Sequence, residues 1–579
     1  MRAQPNSLGL PLALLVISLS IIAAVWWWLA SPVMLPRPPF DPATKMDCVS
    51  YAPFKGLQSP WTPDLVISSE QIAQDLFEIA KISRCVRIYS VDNGLDKVPE
   101  LASRFGLKVV LGIWIGRDHV KNAEMVEATM SLLKDHANVV TSIIVGSEVI
   151  LRGEMTAADL REILRSVKAR VNIPVSYADV WEVWMRYRDF SDDVDFITIH
   201  VLPYWEDFPV RAEDAAAHVD DIRKRMAVAF PGKEILIGET GWPSRGRMRD
   251  GALPSRINQA RFISEILDRA RRENFRVNLF EAYDGRWKRR WEGTVGGHWG
   301  LFDRWNHLKY PPGAAVSDHP FWQLQLAFGL AFCTSVFGAA FLELRRRRSP
   351  SSMVSWIAVA VSATIGGSLL GVAAEKVLYE SYGFVDWLLQ SVLFVAAIAA
   401  LLLSSLALMS GRALPTFLEL FCPSEEKPLP PSTMILGLTL TVTTVIAAET
   451  ALGLVFDPRW RDFPFAALTM VAVALGTLTL LNRRKSDSRP LAETLFAGLF
   501  AAAALYILSN EGVHNWQSLW TSAAYFLFGI SLWKVRSVAV VSARASAAPI
   551  VPAELRSLRA QSDGVDTANP TKNFGQSAS

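Results

Sequence analysis

The hydrophobic residues of this chain follow two arrangements, which divide it into a central part and two flanking parts. Between about residues 32 and 320, short β-branched apolar runs alternate with segments whose apolar positions recur three and four residues apart. The flanking parts carry continuous apolar runs of about 20 residues, the length at which a helix crosses the hydrocarbon core of a bilayer. The pattern predicts a water-soluble α/β domain between membrane-spanning helices.

Eight runs in the central part are typical of strands buried on both faces. They cover residues 48–52, 86–90, 108–114, 142–146, 174–178, 194–200, 234–238 and 276–283. Helical patterns lie between them, as at residues 70–82, 121–136, 157–171, 212–229 and 256–272. Eight βα units in about 270 residues predict a (β/α)8 TIM barrel. An open doubly wound sheet is the alternative, but no glycine-rich phosphate turn follows the first strand to favour it.

The flanking parts carry eight apolar stretches. The first, residues 8–30, ends in three tryptophans and is too long and bulky for a cleaved signal peptide, so we predict an uncleaved anchor. Seven more cover residues 321–344, 353–374, 384–409, 433–456, 463–481, 491–508 and 516–533. Basic residues gather at 345–348, 412–427, 483–485 and from 534 onward, and the positive-inside rule places these connections in the cytoplasm. We therefore expect an inner-membrane protein whose central domain lies in the periplasm.

These patterns divide the chain into four parts. They are an anchor at residues 1–31, the soluble domain at 32–320, seven helices at 321–534 and a polar tail at 535–579 with a composition typical of disorder. Gly366, Gly367 and Gly371 would let helices approach closely. Glu449 lies within a predicted span, where it is either a functional carboxylate or a residue near the outer end within reach of headgroups.

Composition limits the chemistry further. The formal net charge is only +3 and the basic residues lie beside the membrane stretches, so nothing indicates nucleic acid binding. No His/Cys ligand cluster or nucleotide-binding loop is present, and we predict neither a metal nor an organic cofactor. Cys48 and Cys85 stand at the starts of consecutive predicted strands, where equal register would bring them near bonding distance. We predict a disulfide, with two buried free thiols as the alternative.

Two glutamates end predicted strands just after a glycine. Glu148 ends the run IIVGSE and Glu239 ends the run ILIGE. Burying a carboxylate at the end of a strand costs free energy, so such a residue is expected to have a catalytic use. In a TIM barrel the carboxyl ends of the strands form the active-site face. We expect the two carboxylates to face each other, as in a glycosidase.

Other residues near strand ends could bind a sugar, because aromatic faces stack on sugar rings and polar groups bond to hydroxyls. These candidates are Tyr51, Arg87, Tyr89, Ser147, Tyr177, Tyr204, Trp242, Glu281, Tyr283, Trp287 and Lys288. Glu281 could equally be a buried partner of Arg87 or Lys288. Trp242 and Trp287 could instead be packing residues, and a lone histidine such as His200 is more often a satisfied core residue.

The segments VRIYS, VGSEV, IGETGWPS, FEAYDGRWK and GHWGLF resemble glycoside hydrolase family seventeen, the β-1,3-glucanases and β-1,3-glucan transglycosylases. The resemblance spans the soluble domain and implies a retaining mechanism, with Glu239 as nucleophile and Glu148 as acid/base. One departure is Ser147, which stands where the family has an asparagine that is expected to hold the 2-hydroxyl of the sugar. Either a water extends Ser147 or another group makes that contact.

The combination with membrane helices resembles rhizobial and related bacterial membrane proteins proposed to form β-1,6 linkages in cyclic or branched β-1,3-glucans. This resemblance implies a membrane-bound glucosyltransferase that takes a β-glucan donor and a sugar acceptor, and an association with a β-1,3-glucan synthase is expected. A plain endo-β-1,3-glucanase and a non-catalytic glucan-binding or export component are the alternatives.

Overall fold

A computed structural model describes residues 9–35, 45–310, 314–347, 352–423, 428–482 and 490–535. The basic segment at 483–485 and residues 536–579 of the predicted tail lie outside the described residues. The described part contains a closed barrel and a bundle of long helices.

Eight parallel strands form the barrel. They are β1 (Cys48–Ser50), β2 (Cys85–Ile88), β3 (Lys108–Ile113), β4 (Val140–Ser147), β5 (Val175–Val180), β6 (Ile197–His200), β7 (Ile235–Thr240) and β8 (Val277–Leu279). Each strand pairs with the next, and β1 pairs with β8, so the sheet is closed. The predicted TIM barrel is confirmed, and each strand overlaps its predicted run. The strands are apolar on both faces because one face fills the barrel and helices cover the other.

The helices of the barrel domain are Ser69–Ile79, Val98–Arg104, His119–His136, Ala157–Lys168, Trp181–Arg186, Ala212–Ala229, Arg256–Glu273 and Arg289–Gly296. The five predicted helices are all present. Several begin at a side chain that caps the first turn, such as Ser68, Thr156 and Ser255, each of which accepts a hydrogen bond from a backbone N–H three residues later. Val98–Arg104, Trp181–Arg186 and Arg289–Gly296 were not predicted, because six to eight residues are too few to show a helical period.

Eight long helices occupy the eight predicted apolar stretches. They are Gly9–Leu29, Trp322–Arg347, Met353–Glu380, Gly383–Ser410, Pro431–Phe456, Phe465–Leu481, Leu491–Glu511 and Trp516–Lys534, with a short helix at Phe417–Phe421. Among the described residues, six of the eight are long and apolar enough to cross a membrane. Phe465–Leu481 has only 17 residues, and Trp516–Lys534 carries several buried polar side chains. The expectation of eight crossings is therefore supported for six helices.

Glycines allow the long helices to pack closely, as predicted. A Cβ atom added to Gly329 would lie 2.3 Å from the carbonyl oxygen of Gly367 on the neighbouring helix. A Cβ added to Gly366 would lie 2.6 Å from a leucine side chain, and one added to Gly371 would lie 2.7 Å from Trp26. The role predicted for the three glycines of Met353–Glu380 is confirmed, since any larger residue would force these helices apart.

The barrel contacts the bundle through the loops that follow its last strands. Arg245, after β7, forms an ion pair with Glu375 at 2.7 Å. Thr294, after β8, donates its hydroxyl to the Asp462 carboxylate at 2.6 Å. Because these loops belong to the carboxyl-end face of the barrel, one side of that face contacts the ends of the long helices.

Glu449 lies near the end of Pro431–Phe456 and pairs with Arg461 at 2.8 Å. Its side chain is 39% exposed. This position agrees with the interpretation of Glu449 as a residue near the outer end of a span, where a charged side chain can reach polar surroundings.

Candidate active site

Two carboxylates converge at the carboxyl-end face of the barrel. Glu148 directly follows β4, and Glu239 lies in the last residues of β7. Their side chains are 27% and 8% exposed, and an oxygen atom of one lies within 4.8 Å of an oxygen atom of the other. Glu148 has a φ of 55°, which is uncommon for a residue with a side chain and is often found at functional sites. The separation is close to the spacing of about 5 Å that retaining glycosidases use.

His200, the last residue of β6, lies between the two glutamates. Its Nδ1 is 2.7 Å from Glu148 Oε1, and its Nε2 is 3.5 Å from Glu239 Oε1. Burial lowers the pKa of His200 to about 4, so the ring is neutral at neutral pH. Arg87 Nη1 is 3.2 Å from His200 Nε2 and can only donate, so Nε2 accepts from Arg87 and Nδ1–H donates to Glu148. His200 therefore orients the Glu148 carboxylate.

This role differs from the core histidine expected for His200. The residue is buried, as expected, but its hydrogen bond goes to a candidate catalytic group. The one available signal in the sequence was its place at the end of a predicted strand, which marks the active-site face of a barrel.

Arg87 and Tyr89, from β2 and the residues that follow it, hold Glu239. Tyr89 donates its hydroxyl to Glu239 Oε1 at 2.7 Å, and Arg87 Nη1 lies 3.4 Å from the same oxygen. Burial raises the pKa of Tyr89 well above its ordinary value, so the phenol remains a donor. Arg87 also donates to the backbone oxygen of Gly238 at 2.7 Å and to Ser147 Oγ at 3.4 Å. These contacts hold the carboxyl group of Glu239 in a fixed orientation, as a nucleophile requires.

Glu148 is suited to the complementary role. Burial raises the pKa of Glu148 above its ordinary value of 4.5, and the positive charges of Arg152 and Arg87 only partly oppose this effect. A carboxyl group with a raised pKa keeps its proton to higher pH, as a general acid must. The two glutamates therefore differ in environment in the way that an acid and a nucleophile require.

The same three side chains could in principle bind a metal ion. Glu148, His200 and Glu239 each offer a ligand atom, and within the described part of the chain these atoms lie within 4.8 Å of one another. The guanidinium of Arg87 lies 3.4 Å from Glu239 Oε1 and 3.2 Å from His200 Nε2. A permanent positive charge at that distance repels a cation from two of the three ligands, so the geometry suits carboxylate chemistry better than metal binding.

Among the residues predicted to bind sugar, Arg87, Tyr89 and Ser147 lie beside the two glutamates. Ser147, which stands where the family has an asparagine, accepts a hydrogen bond at Oγ from Arg87. Trp287 is half-buried and packs edge-on against Phe54 with ring centroids 6.1 Å apart. Sugar contact by Trp287 stays a prediction.

Five other aromatic candidates are packing residues in the structure. They are Tyr51, Tyr177, Tyr204 and Trp242, which have no exposed surface, and Tyr283, which is 3% exposed. Their polar atoms bond within the protein: the Tyr51 hydroxyl donates to Asp75, for example, and Trp242 Nε1 donates to a backbone oxygen at 3.1 Å. The predicted sugar contact has no support for these five, because a side chain with little or no accessible surface cannot stack on a ligand.

Glu281 and Lys288 form an ion pair with each other inside the domain. The Lys288 ammonium group donates to Glu281 Oε1, and the two residues are 4% and 3% exposed, respectively. Burial raises the pKa of Glu281 to about 7, although the charge of Lys288 lowers it. This pairing matches the alternative in which Glu281 is a buried partner, and the partner is Lys288, not Arg87.

Cys48 and Cys85 are joined by a disulfide, with Cα atoms 4.4 Å apart. Val49 pairs with Val86 in the sheet, so the preceding cysteines stand side by side at the start of β1 and β2. The bond lies at the end of the barrel opposite the glutamates. Its effect is on stability and not on the site.

Comparison with known proteins finds that the barrel is similar to carbohydrate-active enzymes. Residues 48–300 match a family model described as the BtgE/BtgC glycoside hydrolase domain. A protein of Saccharomyces cerevisiae named "Glucan 1,3-beta-glucosidase" is 26% identical over 266 residues, which are 42% of this chain and 85% of the relative. A protein of Aspergillus fumigatus named "Probable beta-glucosidase btgE" is 28% identical over 228 residues, which are 38% of this chain and 40% of the relative.

Among solved structures, a glycoside hydrolase family 17 β-1,3-glucanosyltransferase from Rhizomucor miehei is similar at 24% identity and a TM-score of 0.42, covering 48% of this chain and 99% of the other. The family match begins at β1, contains all eight strands and includes both glutamates. The barrel of this chain is therefore similar, over all eight strands, to enzyme domains of the glycoside hydrolase type.

Proposed function

We propose that this protein is a membrane-bound retaining enzyme that cleaves a β-1,3-glucan and transfers the cleaved part to a sugar acceptor. The proposal rests on the distance between the two carboxylates: an oxygen atom of Glu148 lies within 4.8 Å of an oxygen atom of Glu239 at the active-site face of the barrel. An inverting enzyme needs a wider gap, about 6.5–9.5 Å, to admit a water between the sugar and the base.

The reaction follows from the environments of the two carboxylates. Glu239, held by Tyr89, attacks the anomeric carbon while Glu148 gives its proton to the leaving glycosidic oxygen, which departs as an alcohol. The glycosyl group is then bonded to Glu239, and Glu148 is an anion. In the second step Glu148 takes the proton of the acceptor hydroxyl, whose oxygen attacks the same carbon and releases Glu239. His200 donates to Glu148 throughout and keeps it oriented.

The names of the relatives support a β-1,3-glucan as the donor. Proteins of Saccharomyces cerevisiae and Candida albicans named "Glucan 1,3-beta-glucosidase" align with this chain over 85% and 84% of their own lengths. We propose the same class of donor for this protein.

The choice of acceptor is proposed from the architecture. The active-site face is bordered on one side by the ends of long apolar helices, and six helices are long and apolar enough to span a membrane. An enzyme attached to a membrane acts on glucan that is made or held at the same membrane. Attachment therefore favours an enzyme that remodels this glucan over one that degrades glucan in general. We propose a periplasmic barrel on an inner membrane, a β-1,6 bond as the new linkage, and a β-1,3-glucan synthase as the source of donor.

The test incubates full-length protein in detergent with a β-1,3-gluco-oligosaccharide of defined length and reads the products by mass and linkage analysis. We expect products longer than the substrate, containing β-1,6 bonds. The Glu239→Gln variant should lose activity. The Glu234→Gln variant should retain it, because Glu234 directly precedes the same strand, at the opposite end of the barrel, and is 53% exposed. Shorter products alone would show a hydrolase. Unchanged substrate would contradict the enzymatic proposal and leave a binding or export component.

Azide distinguishes the roles of the two glutamates. With an activated β-glucosyl donor, the Glu239→Ala variant should form an α-glucosyl azide, because azide replaces the nucleophile directly. The Glu148→Ala variant should form a β-glucosyl azide, because azide then attacks the glycosyl-enzyme. If Glu239→Ala gave the β-azide and Glu148→Ala the α-azide, Glu148 would be the nucleophile and Glu239 the acid/base.

A further inference from the structure

A cavity of about 640 Å³, separate from the two glutamates, lies between the barrel and the ends of the long helices. Its barrel side is formed by the loops that follow β7 and β8, and its other side by the ends of Met353–Glu380 and Gly383–Ser410. Neither Glu148 nor Glu239 lines it. The volume is within the range of small-molecule sites.

The barrel side of this cavity is strongly basic. Two lysines and five arginines line it, with only two carboxylates. The arginines are Arg245, Arg256, Arg286, Arg289 and Arg304. One of these, Arg245, is neutralised by Glu375, and both lysines have carboxylate partners. The other four arginines form no ion pair within the described residues.

These four arginines are available to an anion in different degrees. Within the part of the chain that the structure describes, Arg256 and Arg289 donate only to neutral oxygens, and the buried Nε–H of Arg289 has no partner there. Arg286 and Arg304 are exposed and make no hydrogen bond to the described residues; their guanidinium groups lie over aromatic rings. Asp462, Glu380 and Asp386 partly offset the charge of Arg289 from beyond ion-pair distance. Four guanidinium groups that face one cavity and have no ion-pair partner among the described residues still create a positive potential that favours an anion.

The opposite wall is apolar and aromatic. It includes Phe321, Leu378, Tyr379 and Trp387, which lie at the ends of long helices. Aromatic residues at helix ends are typical of the headgroup level of a bilayer. The cavity therefore combines a cationic wall from the barrel with an apolar wall that continues into the membrane region.

We propose that this cavity binds the phosphate of an anionic phospholipid, with the acyl chains directed along the helices. The planar guanidinium of arginine matches phosphate oxygens in pairs, and basic pockets at the ends of membrane helices suit lipid headgroups. The bound lipid holds the barrel against the surface of the bilayer. The proposal requires that the helices span a membrane, but it is independent of the chemistry at Glu148 and Glu239.

The test uses full-length protein in a neutral detergent with phosphatidylglycerol, phosphatidylcholine or inorganic phosphate, and measures binding by native mass spectrometry and by the shift of Tm. We expect phosphatidylglycerol to remain bound and to raise Tm, and phosphatidylcholine to bind at least tenfold more weakly. Equal binding of the two lipids would overturn the proposal. So would inorganic phosphate that binds as tightly as phosphatidylglycerol, because the site would then serve free phosphate.

The matched variants are Arg286→Gln/Arg304→Gln and Arg290→Gln. The first pair changes exposed residues without hydrogen-bond partners in the described structure, so folding should be unaffected, and we expect at least tenfold weaker binding of phosphatidylglycerol. Arg290 is also exposed and stacks on Trp291, but it does not line the cavity, so its variant should bind like the wild type. Equal losses in both variants, or none in either, would contradict the assignment. Glucan turnover enters none of these measurements.

Discussion

Replacing Lys288 by methionine removes the positive charge that faces Glu281 inside the barrel domain. The two residues are 4% and 3% exposed, so water cannot replace the lost partner. Removing one member of a buried ion pair costs about 3–5 kcal/mol where the remaining group is charged, which for Glu281 is the case only above pH 7. For a domain of this size the loss corresponds to a decrease in Tm of roughly 6–20 °C.

The pH dependence of this effect follows from the pKa of Glu281, which burial raises from 4.5 to about 7. Between these values the folded chain binds a proton that the unfolded chain has released, so the contribution of Glu281 to stability is greatest at low pH and is lost as the pH rises through 7. Without Lys288 the carboxyl group holds its proton to still higher pH. The destabilisation of Lys288→Met should therefore grow above pH 7, by at most about 1.4 kcal/mol per pH unit.

The assay heats wild type and Lys288→Met in detergent at pH 6 and pH 8.5, and follows unfolding of the barrel by proteolysis, counting peptides from residues 45–310 by mass spectrometry. We expect the difference in Tm to be larger at pH 8.5. The double variant Glu281→Gln/Lys288→Met carries no charge at either position and should show no such pH dependence. Equal destabilisation of the single variant at both pH values would refute the reasoning.

Three further changes test the site and the fold. Tyr89→Phe removes the hydroxyl that donates to Glu239 at 2.7 Å. Because a hydrogen bond to a charged group contributes about 1.5–3 kcal/mol, kcat should fall roughly 10–150-fold, and Tm should not decrease. Burial lowers the pKa of His298 to about 4. Between pH 6.5 and 4 the unfolded chain therefore binds a proton at this histidine that the folded chain does not bind. The free energy of unfolding should fall by up to about 3 kcal/mol as the pH decreases over that range. Denaturant unfolding of His298→Asn should show a weaker decrease over that range; an unchanged slope would exclude this histidine as the cause. Replacing Cys48 and Cys85 by serine opens a loop with a sequence separation of 37 residues, and the free energy of unfolding should fall by about 4 kcal/mol, with wild type under reducing conditions behaving alike.

Several features of the fold could be predicted because they depend on local order along the chain. A strand buried on both faces needs a short β-branched run, and a helix on the outside of a barrel needs an apolar face with its own period, so the alternation of the two shows in the sequence. The disulfide was predictable for the same reason: Cys48 and Cys85 occupy equivalent positions at the starts of adjacent parallel strands.

The site was predictable to the extent that its residues follow strands. All strands of a parallel barrel end at one face, so Glu148 and Glu239 had to lie on the same side of the domain. Being near a strand end was not sufficient for the tyrosines, however. Tyr51, Tyr177 and Tyr204 satisfy that condition and are nevertheless fully buried.

The amino-acid sequence by itself determined the order of strands and helices, the apolar stretches of the flanking parts and the face on which the two glutamates lie. Only the tertiary structure decided that His200 bonds to Glu148, that Lys288 pairs with Glu281, and that the barrel rests its active-site loops on the long helices. The physical reason is that periodicity and strand ends are local properties of the chain. Contacts between side chains depend on barrel closure and on how the barrel packs against the bundle, which join residues far apart in the sequence.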